Sequence, residues 1–386
     1  MRTRGTQTRQ MIRTPVVALA ALALAVTGCG GSVTAGGDTA GGGGARAAAN
    51  AEVYERLGAL TGPQRRAEMV RLAKEEGQLV LYTSLTDDVT QDVVGAFTKQ
   101  TGVKVNVFRG GSETVLQRVL QESDARKTGN DVIETNFLEM ATVAKRGLLA
   151  RFRGSALDSV DKTGRFDDWT ATRFNIMLPA WNTELVKAGD EPRGWEDLAS
   201  PRFKGKLTME LSDNDWYENV TKYWLAHGRT QAQVDQLWRQ IVGNSKVAKG
   251  HTVMGQLLAA GQTGVDAMNY TYLVQKDIDA GAPVAYRSAD GIAHTPAFPR
   301  PNGVGMMKDA QHPAAAMLFY DWLLSDGQRV LVDLGLTPST KVPGDKSLEG
   351  ITLEPYDVAE LVANEKAWAD RYDALLRGVR QVEGGS

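Results

Sequence analysis

Ser84, Ser112 and Asn136 each stand where a short strand-like run gives way to a helical one. A helix start leaves backbone N–H groups unpaired and carries the positive end of the helix dipole, so residues there are placed to hold an anion. The same residue types are also ordinary helix caps, a role that needs no ligand. Asp215-Trp216-Tyr217 sets two aromatic rings beside a carboxylate. That group is able to stack on a ligand or take a cationic one, or equally to be a core tryptophan next to a surface acid.

The four histidines, His227, His251, His294 and His312, show neither HxxxH nor HxH spacing, so no zinc site is suggested. His312 precedes Pro313 and reads as a helix-start residue. GxSxG, HExxH and P-loop patterns are missing, and Cys29 is the single cysteine, so no disulfide joins two parts of the chain. Asp87-Asp88 and Asp167-Asp168 fall at a helix start and in a loop. The chain therefore reads as a non-enzyme with no cofactor; an extracellular hydrolase is the alternative, since catalytic carboxylates have no fixed spacing in sequence.

The elements that position these residues obey a simple alternation. A helical segment spans 51–77, with Gly77 as its stop, and residues 78–83 form a strand. A helix starting at Thr86 or Asp87 carries Val89, Val93, Ala96 and Phe97 at helical spacing and ends at Gly102. Val103, Val105 and Val107 alternate as a second strand, and Ser112 opens a helix with Val115, Leu116, Val119 and Leu120 on one face. Residues 131–135 form a third strand, after which a helix runs to Gly147. This βαβαβα order predicts a parallel sheet with right-handed crossovers, which gathers the turns at 84–88, 110–113 and 135–138 on one edge. Past Trp169 the alternation blurs, and six of the eight tryptophans lie between Trp169 and Trp238.

With 386 residues, 42% hydrophobic and 23% charged, the composition is globular and large enough for two lobes. Residues 1–28 hold four arginines, no acid and an apolar run shorter than a membrane span, the pattern of a secretory signal. Val26-Thr27-Gly28-Cys29 resembles a lipobox, in which the cysteine becomes the lipidated first residue. Residues 29–50, rich in Gly and Ala, read as a flexible tether. Without residues 1–28 the chain is acidic, 40 Lys and Arg against 46 Asp and Glu, which argues against nucleic acid as a partner.

The ordered landmarks Leu79-Val80-Leu81-Tyr82-Thr83-Ser84, Gly110-Gly111-Ser112, Gly147-Leu148-Leu149, Trp181-Asn182-Thr183, Trp195-Glu196-Asp197-Leu198, Phe203-Lys204-Gly205-Lys206 and Gly281-Ala282-Pro283-Val284 run in series. With the stretch from His312-Pro313 to Gly327-Gln328, the chain resembles the ferric-iron-type periplasmic solute-binding proteins of bacterial ABC importers, which have the type II periplasmic binding fold. That resemblance implies an α/β, two-lobed protein: each lobe is a mainly parallel sheet flanked by helices, and two crossover strands join them, here near 174–181 and 284–294. Lobe 1 would comprise 78–173 plus 285–340, and lobe 2 would comprise 174–284 plus 341–386.

The resemblance also implies a monomer that is extracytoplasmic and lipid-anchored to the cell membrane, capturing a small molecule or a ferric ligand in the cleft and delivering it to a membrane permease. A ligand-sensing lipoprotein serving a membrane receptor is the alternative. Asn182 falls on the first crossover, with an amide able to reach the cleft or simply to close the hinge turn. Tyr270 and Tyr272 match the position of the paired tyrosines of ferric-binding relatives, whose phenolates suit Fe(III); here Thr271 splits them. The histidine and glutamate of those relatives are replaced by Leu85-Thr86 and Asn136. The expected ligand set is Ser84, Ser112, Asn136, Asn182, Trp216, Tyr217, Tyr270 and Tyr272, with Tyr270 and Tyr272 as metal ligands only if Fe(III) is carried. The expected ligand is an anionic organic molecule of phosphonate or phosphate-ester type, or Fe(III) as a ferric ion or chelate.

Overall fold

The structure is a computed structural model that describes residues 42–382. Cys29 and residues 1–28, with the expected signal and lipidation, lie outside the described residues. In chain order the elements are α1 (Gly42–Ala59), α2 (Gly62–Glu76), β1 (Gln78–Thr83), α3 (Asp87–Thr101), β2 (Lys104–Arg109), α4 (Ser112–Asp124), β3 (Val132–Asn136), α5 (Phe137–Lys145) and β4 (Leu149–Ala150). Next come β5 (Thr170–Asn182), β6 (Leu207–Glu210), α6 (Asn214–Ala226), α7 (Gln231–Asn244), β7 (Ser245–Ala248), α8 (His251–Ala259), β8 (Val265–Tyr270) and α9 (Thr271–Asp279). The chain closes with β9 (Val284–Ala285), β10 (Ala293–Met307), α10 (Pro313–Leu323), α11 (Asp326–Asp333), β11 (Thr337–Pro338), β12 (Ile351–Leu353) and α12 (Val358–Leu376).

The main strands lie in the order β2-β1-β3-β10-β5-β8-β6-β7. β1 runs parallel to β2 and β3, and β6 runs parallel to β7 and β8. Between these two parallel wings the long strands β5 and β10 pair antiparallel to each other. The result is two α/β lobes, each built on a parallel wing, joined by a two-stranded hinge. Parallel pairing needs crossover helices, which places every β-to-α turn of a wing at the carboxyl end of its strands, facing the other lobe.

Local rules explain most boundaries. Gly77 and Gly102 end α2 and α3 in the left-handed conformation, at φ 82° and 75°. In α10 every residue but Asp321 is buried, as befits a helix that is apolar all round. Its start is capped by Glu76 from the end of α2, whose carboxylate accepts from the amides of Ala314 at 2.9 Å and Ala315 at 2.8 Å.

The structure changes three sequence expectations. The tether expected over 29–50 does not include 42–50, which belong to α1; Asn50 ties that helix to β10's end, donating to the carbonyls of Lys308 at 3.0 Å and Ala310 at 2.8 Å. The single segment 51–77 is two helices, split where Gly62 adopts φ 54° ahead of Pro63. The second crossover strand is Ala293–Met307, downstream of 284–294, because residues 286–292 turn back on themselves before the strand starts. Among the described residues, no helix is long and apolar enough to cross a membrane.

Candidate functional site

Four strand ends deliver four helix starts to one place. α4 comes after β2 and α5 after β3 in lobe 1; α6 comes after β6 and α8 after β7 in lobe 2. Between them lies a cavity of about 270 Å³, into which Ser112, Asn136 and Glu139 face from one lobe and Asp213, Lys249 and His251 from the other. Tyr270, Arg300, Phe137, Asp215, Glu113 and Glu210 also line it. A larger groove of about 1090 Å³ lies elsewhere, along Phe174, Ile176, Pro299 and Pro301, with Asp158, Lys162, Lys341 and Glu354 also in its lining. Small-molecule sites depend on convergent polar groups, and it is in the smaller cleft that these stand at four helix starts.

On the lobe 1 side most groups are neutral, with Glu113 and Glu139 as the two carboxyls of that wall. Gly111, not Ser112, is the N-cap of α4, so Ser112 occupies the first turn. Asn136 is the N-cap of α5, but its side chain makes no capping bond; its amide donates instead to Ser112 Oγ at 2.7 Å, joining two helix starts. Glu139, in α5's first turn, is the buried one of the two: burial pushes its carboxyl up to about 7, and its Oε2 has no hydrogen-bond partner among the described residues.

The lobe 2 side is an ionic network centred on Arg300, which is 5% exposed. Its Nε donates to Asp215 Oδ2 at 2.7 Å; its Nη2 donates to Asp215 Oδ1 at 2.5 Å and to Asp213 Oδ1 at 3.1 Å. Its Nη1 donates to the Tyr270 hydroxyl. Tyr356 adds a bond from its hydroxyl to Asp215 Oδ2 at 2.5 Å. His251 Nε2 lies 3.2 Å from Asp213 Oδ1, with its ring 4.1 Å from that of Tyr270. Burial alone would lower the His251 pKa, but Asp213 and Glu210 outweigh it and the pKa is raised; conversely Asp213 is buried, yet His251 and Arg300 hold it below its ordinary value. Burial raises Tyr270 well above 10 despite Arg300. A buried cation held by two carboxylates is a rigid arrangement whose parts are costly to remove singly.

Of the eight expected ligand residues, the structure brings Ser112, Asn136 and Tyr270 into the cleft. Ser84 does not line it, since the start of α3 lies at Thr86 and Ser84 sits short of the helix with its Oγ buried. Asn182 is 1% exposed and closes the end of β5, donating to Leu258 O at 2.9 Å and accepting from Glu184 N at 3.0 Å. Trp216 is a core residue against Trp195 and Trp238, and Tyr217 packs on Trp238 and Trp368. α6 turns both rings away from the cleft and leaves Asp215 as the member of that trio facing it. Tyr270 ends β8 while Tyr272 lies in the first turn of α9; their rings stay near-parallel at 6.1 Å, but Tyr272 is not part of the cleft lining. As a pair of metal ligands they are therefore poorly placed, with the Tyr270 hydroxyl already held by Arg300.

The residues missed are Glu139, Asp213, Lys249, His251 and Arg300, and within the Asp215-Trp216-Tyr217 trio the cleft member is Asp215 in place of the two rings. Asp213-Asn214-Asp215 and Lys249-Gly250-His251 stand at the β-to-α turns of lobe 2, the counterparts of the turns read in lobe 1. Arg300 has its own signal, the lone Asp, Glu, Lys or Arg of its strand, set between Pro299 and Pro301.

Comparison with known proteins agrees with this architecture. The family model described as bacterial extracellular solute-binding protein matches residues 82–330. Iron uptake protein A1 of Synechocystis is 22% identical over 271 residues, covering 65% of this chain and 72% of that protein. The Fe(3+)-binding periplasmic protein of Serratia marcescens is 23% identical over 266 residues, covering 67% and 77%. Among solved structures, the periplasmic binding protein AfuA from Actinobacillus pleuropneumoniae, with fructose-6-phosphate bound, has a TM-score of 0.66 at 19% identity, covering 78% of this chain and 99% of that one. Iron-bound HitA from Pseudomonas aeruginosa has a TM-score of 0.63 at 19% identity, covering 78% and 98%. At these identities the structural likeness is one of fold.

Proposed function

This chain belongs to the bacterial extracellular solute-binding proteins, and from that premise we propose that it captures an anionic small organic molecule, a phosphate ester or phosphonate, in the interlobe cleft and hands it to an ABC permease. One observation carries the ligand class: four helix starts converge on one cavity together with Lys249, His251 and Arg300. Backbone amides and dipoles at helix starts favour an anion, and Lys249 adds to that field, whereas the charges of Arg300 and His251 are offset within the lining by Asp213 and Asp215. Arg300, Asp213 and His251 come already oriented by one another, so little ordering is needed when the ligand arrives. A ligand touching helix starts of both lobes stabilises the closed form by its differential affinity, and the closed form is what a permease reads.

The solved AfuA complex holds a sugar phosphate in the same fold, which supports the assignment. A ferric chelate is the second reading, favoured by the iron-binding names of the relatives; carboxylates of a chelator such as citrate would meet the same helix starts. Free Fe(III) is less well supported, because Tyr270 is held protonated by burial and Tyr272 lies off the cleft. The protein works by binding rather than by catalysis, outside the cytoplasm and tethered through Cys29; the mass of the mature N-terminus tests the tether.

A thermal-shift screen tests the ligand, since binding to the native state raises Tm by mass action. A shift with phosphate esters or phosphonates, reduced in His251→Ala, is the expected result. A shift with ferric citrate alone replaces the first reading by the second, and a shift with free Fe(III) accompanied by tyrosinate colour overturns both.

A further inference from the structure

The family match ends at residue 330, and beyond it the family resemblance implies that residues 341–386 belong wholly to lobe 2. The structure divides that segment between the lobes. Val358 and Leu361, 9% and 2% exposed, belong to the apolar cluster of lobe 1 with Phe137, Met140 and Val115. Tyr372 and Leu376, at the other end of the same helix, belong to the lobe 2 cluster with Trp216 and Trp238. A rigid helix of 19 residues thus has one end sunk in each lobe.

Polar contacts tie the segment along its length to lobe 2, while its first turn keeps its apolar contacts with lobe 1. Tyr356 meets Phe137 of lobe 1 edge-on, at 5.4 Å between ring centroids, while its hydroxyl donates to Asp215 of lobe 2 at 2.5 Å. Phe137 and Asp215 both line the cleft. Glu360 pairs with Lys222 of α6 at 2.8 Å, and the Tyr372 hydroxyl donates to Glu210 O at 2.6 Å, at the strand end that opens on the cleft. Val362 and Glu365 line a side cavity of about 310 Å³ whose other walls include Glu113 and Glu139, so the helix also flanks the cleft.

We infer that residues 356–376 are an interlobe strap that limits how far the cleft opens, with Tyr356 as a positioning residue that holds Asp215, and through it Arg300, against lobe 1. Separating the lobes at the hinge must pull either Val358 and Leu361 from one apolar cluster or Tyr372 and Leu376 from the other, so opening carries the cost of exposing buried apolar surface. Hinge closure in two-lobed binders otherwise rests on a few hinge residues; here a third connection adds to β5 and β10. The strap itself does not depend on the ligand proposed above. Only the positioning role of Tyr356 rests on the cleft being the ligand site.

The test measures lobe separation directly in the ligand-free full chain. With Cys29→Ser the chain has no cysteine, so Lys127→Cys in lobe 1 and Gln240→Cys in lobe 2, both exposed, accept a spin-label pair. The expected result is a narrow distance distribution in the parent, loss of the short-distance population in Leu361→Ser, and a smaller broadening in Tyr356→Phe at unchanged Tm. Tyr356→Phe keeps the ring against Phe137 and removes only the bond to Asp215, so it decides the matter if Leu361→Ser fails to fold. Superimposable distributions in the parent and in every folded variant overturn the strap. A broadened Tyr356→Phe whose thermal shift with a phosphate ester equals the parent's removes the positioning role and leaves the strap standing. No shift in either protein, with distances still altered, counts against the ligand reading and not against the strap.

Discussion

The two walls of the cleft are built on one plan and filled with different chemistry. In each lobe, parallel strands end in turns that open helices, so the same backbone geometry faces inward twice. Lobe 1 sets small or uncharged residues, Gly111, Ser112 and Asn136, at the starts themselves and adds only Glu113 and Glu139 within the first turns. Lobe 2 and the hinge load the equivalent positions with Asp213, Asp215, Lys249 and His251 around Arg300. The lobe 1 wall, with its few charges unpaired to one another, should tolerate side-chain change; the ionic wall depends on every member, because each buried charge is compensated by another.

The sharpest way to break this contrast is Arg300→Ala. It leaves Asp213 and Asp215 buried without their cation, at a cost of about 3–5 kcal/mol, and the expected outcome is a large fall in Tm together with loss of ligand binding, read by calorimetry. A near-parental Tm would mean that the network is ornamental. Next in size is His251→Ala, expected to weaken an anionic ligand about tenfold, roughly 1.4 kcal/mol, with a smaller change in Tm; isothermal titration at pH 6 measures it.

Glu139 sharpens the comparison through pH. Its carboxyl is raised to about 7 from an ordinary 4.5, so the folded state holds the proton more tightly than the unfolded state. The stability this contributes is fully present below pH 4.5 and is lost as pH rises through about 7. Ionisation there also places a negative charge among the helix starts. Affinity for an anion should therefore fall as pH rises through 7, and Glu139→Gln should flatten that dependence; an unchanged pH profile in the variant would remove Glu139 from the site. His251, also raised, acts in the same direction, since it loses its positive charge at high pH.

The smallest effect belongs to the lobe 1 wall. Ser112→Ala deletes one bond of 2.7 Å to Asn136, worth about 1 kcal/mol, and leaves the amides that face the ligand. Equal losses of affinity in Ser112→Ala and His251→Ala would erase the distinction between the walls.

Range along the chain decides how much of this is legible in the sequence. In lobe 1 the strands, the helix starts and the glycine stops are readable from local patterns: β1 at 78–83, the end of α3 at Gly102 and the Ser112–Asn136 pair of turns all rest on periodicity and cap chemistry within a few residues. In lobe 2 the same plan is hidden, because its core is made of tryptophans on helices rather than of alternating valines on strands, and Trp216 draws attention from its neighbour Asp215. The secretory pattern, the acidic balance and the two-lobed class are likewise properties of the chain alone. Tertiary structure decided the rest: that Arg300 meets Asp213 and Asp215 across more than eighty residues, that Tyr270 faces the cleft while Tyr272 does not, and that α12 reaches both lobes. Local sequence records which face of an element is apolar and where the element stops, whereas the partner of a buried charge is set by which strands the hinge lays side by side.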